Sequence, residues 1–94
     1  MHSHRYNTAE QIADLPPDAY LERARGGTYI CPYCGSGSGP KGTGMVYYLD
    51  PEPHFYCFAC RRGGKPHTIA AEALGITSHG RDFWRDLEDA LHLI

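Results

Sequence analysis

Four cysteines in two matching pairs constrain this chain more than any other feature of its sequence. Cys31 and Cys34 form one C-x2-C pair, Cys57 and Cys60 form the other, and 22 residues lie between the pairs. Each short turn directs two thiolates towards one point, so the pairs together predict a tetrahedral site of four sulfurs, the arrangement typical of structural zinc. Glycine at position 35, directly after the first pair, and at position 63 lets the backbone fold tightly around the sulfurs.

The length of the chain makes such a site important for stability. Ninety-four residues form one small domain with a modest core, so a metal or covalent cross-link is expected. The sequence contains no run of about eighteen apolar residues, and residues 1–7 lack the apolar stretch of a signal peptide. We therefore expect a cytoplasmic protein without a membrane partner, whose reduced thiols bind one zinc ion instead of forming disulfides.

The net charge of −2 conceals an uneven distribution along the chain. Residues 23–67 hold six basic and two acidic side chains, a balance of +4, whereas residues 1–22 and 68–94 each carry −3. Four thiolates and one Zn²⁺ add −2, which reduces the central balance to about +2. The cysteine-containing segment is thus mildly basic between acidic flanks, and this favours weak attraction of phosphate groups.

The N-terminal part predicts two short helices and a strand. Thr8 and Gln11 have the spacing of a capping box, which predicts a helix beginning at Thr8 and ending before the proline pair. A second helix is predicted over residues 17–25, with two glycines ending it. Residues 28–30 then predict a strand that leads into the first cysteine pair.

The middle of the chain predicts a hairpin that carries the second cysteine pair. Residues 35–44 are glycine-rich and form a loop, residues 45–49 and 54–58 predict two strands, and residues 50–53 predict the turn between them. We expect Leu49 to pair with His54. This register places Val46, Tyr48, Phe55 and Cys57 on one face and Met45, Tyr47, Leu49, His54, Tyr56 and Phe58 on the other, and it leaves open which face is covered.

The C-terminal part predicts two more helices, over residues 66–74 and from about Gly80 to the end. The last helix carries an apolar stripe of Phe83, Leu87, Leu91 and Ile94, which Trp84 widens. Either this helix docks on the ribbon or the chain belongs to something longer. The whole pattern predicts an α+β fold: a small zinc ribbon over residues 28–64, flanked by a helical segment over 1–27 and by helices over 65–94, in a single compact domain.

Three alternative interpretations of these motifs have less support. A Cys-Pro-Tyr-Cys sequence also occurs in glutaredoxin active sites, but that chemistry needs a helix directly after the first thiol, which the glycines of residues 35–39 do not form. Residues 39–43 lack the residue order of a phosphate-binding loop. His54 and His67 lie near the cysteines and could bind metal, but four thiolates already complete a closed site. A closed site has no open position for water, so zinc-dependent hydrolysis is also disfavoured.

The ribbon contains aromatic side chains close in sequence to basic ones. An exposed sheet with aromatic rings beside lysine and arginine is suited to stacking single-stranded bases and contacting their phosphates. The nucleic-acid-binding residues predicted on this basis are Lys41, Tyr47, Tyr56, Arg61, Arg62 and Lys65. We expect Tyr47 and Tyr56 to stack on bases and the four basic residues to contact phosphates.

Residues 31–34 and 54–64 together resemble the zinc-binding domain of bacterial and phage DNA primases. The shared features are Cys-Pro-aromatic before the second ligand, aromatic-Cys-Phe-x-Cys at the second pair, and Gly-Gly followed by a helix. The resemblance covers roughly residues 20–75. It implies a ribbon that helps to recognise a single-stranded template in DNA replication, beside a separate polymerising domain.

Several departures from the family pattern qualify this resemblance. Bacterial primases usually have histidine where this chain has Cys34, so the four-cysteine form is more similar to phage and mobile-element relatives, and Lys65 replaces a residue that is often acidic. The sequence contains no strand-borne acidic cluster for nucleotide chemistry, so we expect a non-catalytic module that works with a primase, polymerase or helicase. The alternative function is a zinc-stabilised adaptor that docks such a replication partner through its C-terminal helix.

Overall fold

Three short strands and three α-helices are the main elements of the described part of the chain. The computed structural model describes residues 4–39 and 44–93. Helix α1 covers His4–Asp14, and two 3-10 turns follow at Pro17–Ala19 and Arg25–Gly27. Strands β1, β2 and β3 form an antiparallel sheet in that order, and helices α2 and α3 complete the chain. The bounds are Met45–Tyr48 for β1, His54–Cys57 for β2, Arg62–Gly64 for β3, Pro66–Leu74 for α2 and Arg81–Leu91 for α3. This architecture confirms the predicted α+β class.

The pairing of β1 with β2 differs by one residue from the predicted register. Tyr48, not Leu49, lies opposite His54, so five residues instead of four connect the strands. A shift of one residue changes which side chains of β1 share a face with those of β2, because side chains alternate along each strand. We call the face with Met45, Tyr47, Phe55 and Cys57 the inner face, and the face with Val46, Tyr48, His54 and Tyr56 the outer face.

Strand β3 was not predicted, because its sequence Arg-Gly-Gly has little strand propensity. It lies against β2, with Gly63 opposite Tyr56 and Arg62 opposite Cys57. A β-carbon at Gly63 would lie 2.1 Å from the carbonyl oxygen of Phe55. Glycine therefore allows the backbone that leaves the second cysteine pair to approach β2 closely enough to form a strand.

The hydrophobic core lies between the inner face and the helices. Phe55 is 1% exposed and makes edge-to-face contacts with Tyr20 and Tyr29, at centroid distances of 6.2 and 6.4 Å. Ile69 of α2 and Ile12 of α1 are fully buried in the same cluster. Burial of side chains of this size stabilises a fold by roughly 1.5–3 kcal/mol each, so the inner face is a main source of stability.

The first helix ends at Asp14, before the proline pair as predicted, but it begins earlier than predicted, and the elements after it differ from the prediction. The chain is already helical at His4, so Thr8 lies inside α1 and is not its N-cap. The buried hydroxyl of Thr8 donates a hydrogen bond to the carboxylate of Glu88 in α3. The predicted helix over residues 17–25 is only a 3-10 turn at Pro17–Ala19, and the predicted strand at 28–30 consists of isolated bridges through Tyr29. Contacts distant in sequence thus override local preferences here.

Helix α3 lies against α1 and α2, and its apolar stripe faces the core. Leu87 is fully buried, whereas Phe83, Trp84 and Leu91 are half-buried against the same cluster. The helix ends at Leu91, and Ile94 lies outside the described residues. Among the described helices, none combines the length and the apolar character needed to cross a membrane.

Candidate metal centre and outer face of the sheet

The four cysteine sulfurs lie together as the sequence predicted. The Sγ atoms of Cys31 and Cys60 are 3.8 Å apart, those of Cys34 and Cys57 are 3.7 Å apart, and all four lie within 4.8 Å of one another. These separations are far longer than the S–S bond of about 2.05 Å, and all four cysteines are free. The tetrad can therefore hold one metal ion, as predicted.

The two cysteine turns that build this site have the same backbone design. The N–H of Gly35 donates to the carbonyl of Cys31 at 2.8 Å, and the N–H of Arg61 donates to the carbonyl of Cys57 at 2.7 Å. In both turns the donor residue has a positive φ, 78° at Gly35 and 61° at Arg61. We call these turns the first and the second knuckle. Each fixes two sulfurs by local hydrogen bonds, so a metal ion bound here would join two separately formed turns.

The buried position of the tetrad controls the protonation of its thiols. Burial raises the pKa of the Cys31 thiol to about 12. At Cys57 burial acts in the same direction, but backbone N–H groups of the second knuckle and the neighbouring thiols outweigh it and lower the pKa. Since metal binds thiolates, an incoming ion must displace protons from this site, and its affinity must increase with pH.

The surroundings of the tetrad separate it from the nearby histidines. Cys31 and Cys57 are buried in the core, whereas Cys34 is exposed. The metal-binding group found among residues 4–39 and 44–93 consists of the four cysteines alone, without His54 or His67. His54 Nδ1 lies 2.7 Å from the carbonyl oxygen of Glu52, to which it can donate a hydrogen bond.

The two tyrosines predicted to stack on bases lie on opposite faces of the sheet. Tyr47 belongs to the inner face, where its ring stacks on Phe55 at 4.5 Å and packs against the core. Tyr56 belongs to the outer face and makes an edge-to-face contact with Phe58 at 4.9 Å. The sheet therefore does not bring the two tyrosines together. The predicted register pairs Tyr47 with Tyr56, whereas the observed register pairs Val46 with Tyr56.

The four basic residues predicted to contact phosphates do not form one cluster in the described structure. Arg61, Arg62 and Lys65 are exposed, while Lys41 lies outside the described residues. The Arg62 guanidinium lies over the Tyr33 ring, 5.2 Å from its centroid, so it is directed towards the first knuckle. Arg61 follows the aromatic residues of the second knuckle, and Lys65 connects β3 to α2.

The outer face carries Tyr56, which was predicted to stack on bases, together with three aromatic residues that were not predicted to do so, Tyr48, His54 and Phe58. Tyr48 and His54 stack at a centroid distance of 5.0 Å, next to the Tyr56–Phe58 pair, and the exposed fraction of Phe58 is 59%. We call Tyr48, His54, Tyr56 and Phe58 the outer aromatic surface. None of the four belongs to the core cluster or to the partly buried side chains packed against it. Alternation along β2 from Cys57, a predicted metal ligand, would have placed His54 on the same face as Tyr56.

Comparisons with protein-family models, with curated proteins and with solved structures found no match for this chain. The arguments about function therefore come from two adjoining features of the molecule. One is a four-sulfur site that can hold a metal ion, and the other is the outer aromatic surface, which the exposed Arg61 follows in the chain three residues after Phe58.

Proposed function

We propose that this chain is a primase-type zinc ribbon that binds single-stranded DNA template during replication and that carries no polymerising site of its own. The single observation that carries the proposal is the outer aromatic surface, which lies outside the core and is followed in the chain by the exposed Arg61. Side chains of this kind are costly to leave in water, so a ligand that covers them with its own ring faces is favoured. Nucleic-acid bases in a single strand are such a ligand.

Zinc is the proposed occupant of the cysteine tetrad. A tetrahedral ion with metal–sulfur bonds of about 2.3 Å requires sulfurs about 3.8 Å apart, which agrees with the separations of 3.7 and 3.8 Å. Four thiolates are soft ligands that suit zinc in a reducing compartment such as the cytoplasm. Because they fill all four positions, the ion would be structural, and no place would remain for a reactive water.

The proposed DNA contacts combine stacking with phosphate binding. Tyr56 and Phe58 present ring surfaces at one end of the outer face, and Tyr48 and His54 do so beside them. The exposed Arg61, three residues after Phe58, and the exposed Lys65, between β3 and α2, would supply the positive charge for phosphate contacts. Tyr47 and Arg62 have weaker support than the sequence suggested, because Tyr47 stacks in the core and Arg62 lies over Tyr33.

A separate catalytic partner is part of this proposal. In the described part of the chain, the cysteine tetrad is the group of side chains found to have metal-binding geometry, and no carboxylate cluster of the kind that supports nucleotide transfer accompanies it. The module would therefore act beside a primase, polymerase or helicase protein.

Binding of a labelled single-stranded oligonucleotide, followed by fluorescence anisotropy at two salt concentrations, tests the proposal. We expect binding that weakens as salt increases, because phosphate contacts release counterions. Replacing Phe58 by alanine should weaken binding by roughly 1–3 kcal/mol, the usual contribution of one stacked base. The control Leu74→Ala removes an exposed apolar side chain from the end of α2 and should leave the affinity unchanged. Absence of binding by the zinc-loaded parent at low salt would contradict the proposal.

The adaptor function has less support than DNA binding. It requires a free apolar stripe on α3, but Leu87 at the centre of that stripe is fully buried and Phe83 and Leu91 pack against the core. A partner could dock there only after α3 had left α1 and α2. Charge reversal at Arg61 and Arg62 separates the two functions, because it should abolish DNA binding and spare a protein interaction through Trp84 and Leu91.

A further inference from the structure

The second knuckle contains an arginine at a position that the first knuckle fills with glycine. Gly35 and Arg61 occupy equivalent places, since each N–H closes its turn on the carbonyl of the first cysteine, at 2.8 and 2.7 Å. Both residues have left-handed backbone angles, with φ of 78° and 61°. Both turns therefore require a left-handed backbone conformation at this position, which glycine adopts in the first knuckle and arginine in the second.

Arginine at this position makes the folded state less stable than glycine would. A side chain in the left-handed region brings its β-carbon close to the carbonyl oxygen, which lowers the folded-to-unfolded ratio about five- to thirty-fold, whereas glycine carries no such penalty. Gly35 shows that glycine is sufficient for this turn. The fold alone therefore does not explain an arginine at position 61.

The side chain of Arg61 has no visible role within the described part of the chain. Its guanidinium takes part in neither of the ion pairs between described residues, which join Arg23 to Asp18 and Arg85 to Asp82. Nor does it lie over a ring, as Arg62 does with Tyr33 and Arg23 does with Tyr29. Arg61 is exposed, so its charge is available to a ligand.

The position of Arg61 indicates which ligand this is. The turn that Arg61 closes also contains Phe58, which contacts Tyr56 on the outer aromatic surface. We propose that Arg61 binds a backbone phosphate of the single strand whose base stacks on Phe58, and that the protein retains this arginine at the expense of stability. This inference rests on the proposed function, and it makes Arg61 the residue that fixes the strand at the second knuckle.

Three variants of the zinc-loaded protein separate the effects of backbone strain, of the arginine side chain and of net charge on stability and DNA binding. Arg61→Gly removes both the strain and the guanidinium. Part of the gain in stability is offset by the backbone entropy that glycine loses on folding, which leaves an expected rise in melting temperature of about 4–8 °C. It should also weaken oligonucleotide binding about five- to tenfold and reduce the dependence of log K on log salt by about 0.7. Arg61→Ala keeps the β-carbon, so its melting temperature should stay near that of the parent while its affinity falls as in Arg61→Gly.

The third variant exchanges the two residues, as Gly35→Arg with Arg61→Gly, and keeps the net charge of the parent. A β-carbon at Gly35 would have only ordinary contacts, the nearest being Ser38 Oγ at 3.8 Å, so the arginine fits there. We expect the exchange variant to bind as weakly as Arg61→Gly, because its arginine lies at the other knuckle.

The possible results distinguish this inference from the function on which it rests. Equal affinity of Arg61→Gly and the parent, recovery of binding in the exchange variant, or a lower melting temperature for Arg61→Gly would each overturn the role of Arg61 and leave DNA binding standing. A parent protein that binds no oligonucleotide at low salt would overturn the proposed function, and with it the ligand assigned to Arg61.

Discussion

The two faces of the sheet carry similar aromatic side chains in opposite surroundings. On the inner face, Phe55 is 1% exposed between Tyr20, Tyr29 and Tyr47. On the outer side, Phe58 is 59% exposed and contacts only Tyr56 among the rings described. These two phenylalanines lie three residues apart in the chain. Residue type therefore says little about their roles, which depend on strand alternation and on what covers each face.

This difference places the stabilising contacts on the inner face and leaves the outer rings, the proposed binding surface, outside the core. The inner face includes Cys57 and adjoins Cys31, so the two buried cysteines of the tetrad and the core form one unit. The outer face contributes no side chain to that unit, and its rings are therefore available for a ligand. The predictions below test this division, beginning with the largest expected effect.

Removal of the metal should abolish the inner face as an ordered structure. Metal binding to four-cysteine sites of small domains is worth about 10–16 kcal/mol, which exceeds the stability of about 5–15 kcal/mol typical of a whole domain. Addition of a chelator should therefore eliminate the near-ultraviolet circular dichroism of the core tyrosines, and added zinc should restore it. An apoprotein that keeps its spectrum and unfolds cooperatively would show that the core is independent of the metal.

Alanine substitutions at Phe55 and Phe58 compare the faces directly. Phe55→Ala leaves a cavity in the core and should cost about 3–5 kcal/mol of unfolding free energy. Phe58→Ala removes the same atoms from the surface and should change it by no more than about 0.5 kcal/mol. Urea denaturation of both zinc-loaded variants measures the two values. Similar losses at the two positions would refute the division between the faces.

Acidification should weaken the helical layer behind the inner face. Burial against Trp84, with a smaller effect of the Lys65 charge, lowers the pKa of His67. The unfolded chain, in which His67 has an ordinary pKa of about 6.5, therefore binds a proton first as the pH falls. The stabilising effect of neutral His67 is complete above that pH and is lost as the pH falls towards the folded pKa.

Thermal unfolding between pH 7 and 5 measures this smallest effect. His67→Gln should decrease the pH dependence of the melting temperature, whereas the control His79→Gln, at an exposed position, should not. Contributions from the cysteine site are the same in both variants and cancel in the comparison. Equal pH dependence of the melting temperature in the parent and in His67→Gln would show that protonation of His67 does not weaken the fold.

The features that the sequence predicted well are those fixed by local rules. The cysteine spacing predicted the tetrad, the proline start and glycine end predicted α2 over Pro66–Leu74, and the apolar stripe predicted α3. The turn of each cysteine pair and the bounds of α2 depend on neighbouring residues, whereas the approach of the two pairs, with 22 residues between them, was predicted from the four ligands that a tetrahedral site requires. The tertiary structure then preserved what the local pattern favoured.

The features that it missed depend on contacts between distant segments. Thr8 has the sequence context of an N-cap, but its hydroxyl bonds Glu88, eighty residues away. Strand β3 forms because the second knuckle returns the chain alongside β2, although two of its three residues are glycine. The hairpin register depends on a five-residue connection that sequence alone does not fix. That one-residue difference moved Tyr47 into the core and left Tyr48 on the outer face.

Native mass spectrometry of the purified protein, combined with metal analysis, tests the central claim most directly. The claim is that Cys31, Cys34, Cys57 and Cys60 hold one zinc ion between two preformed turns. The account predicts one zinc per chain, and loss of that zinc in a Cys57→Ser variant. A folded protein that is free of metal, or one in which these cysteines form disulfides, would contradict it.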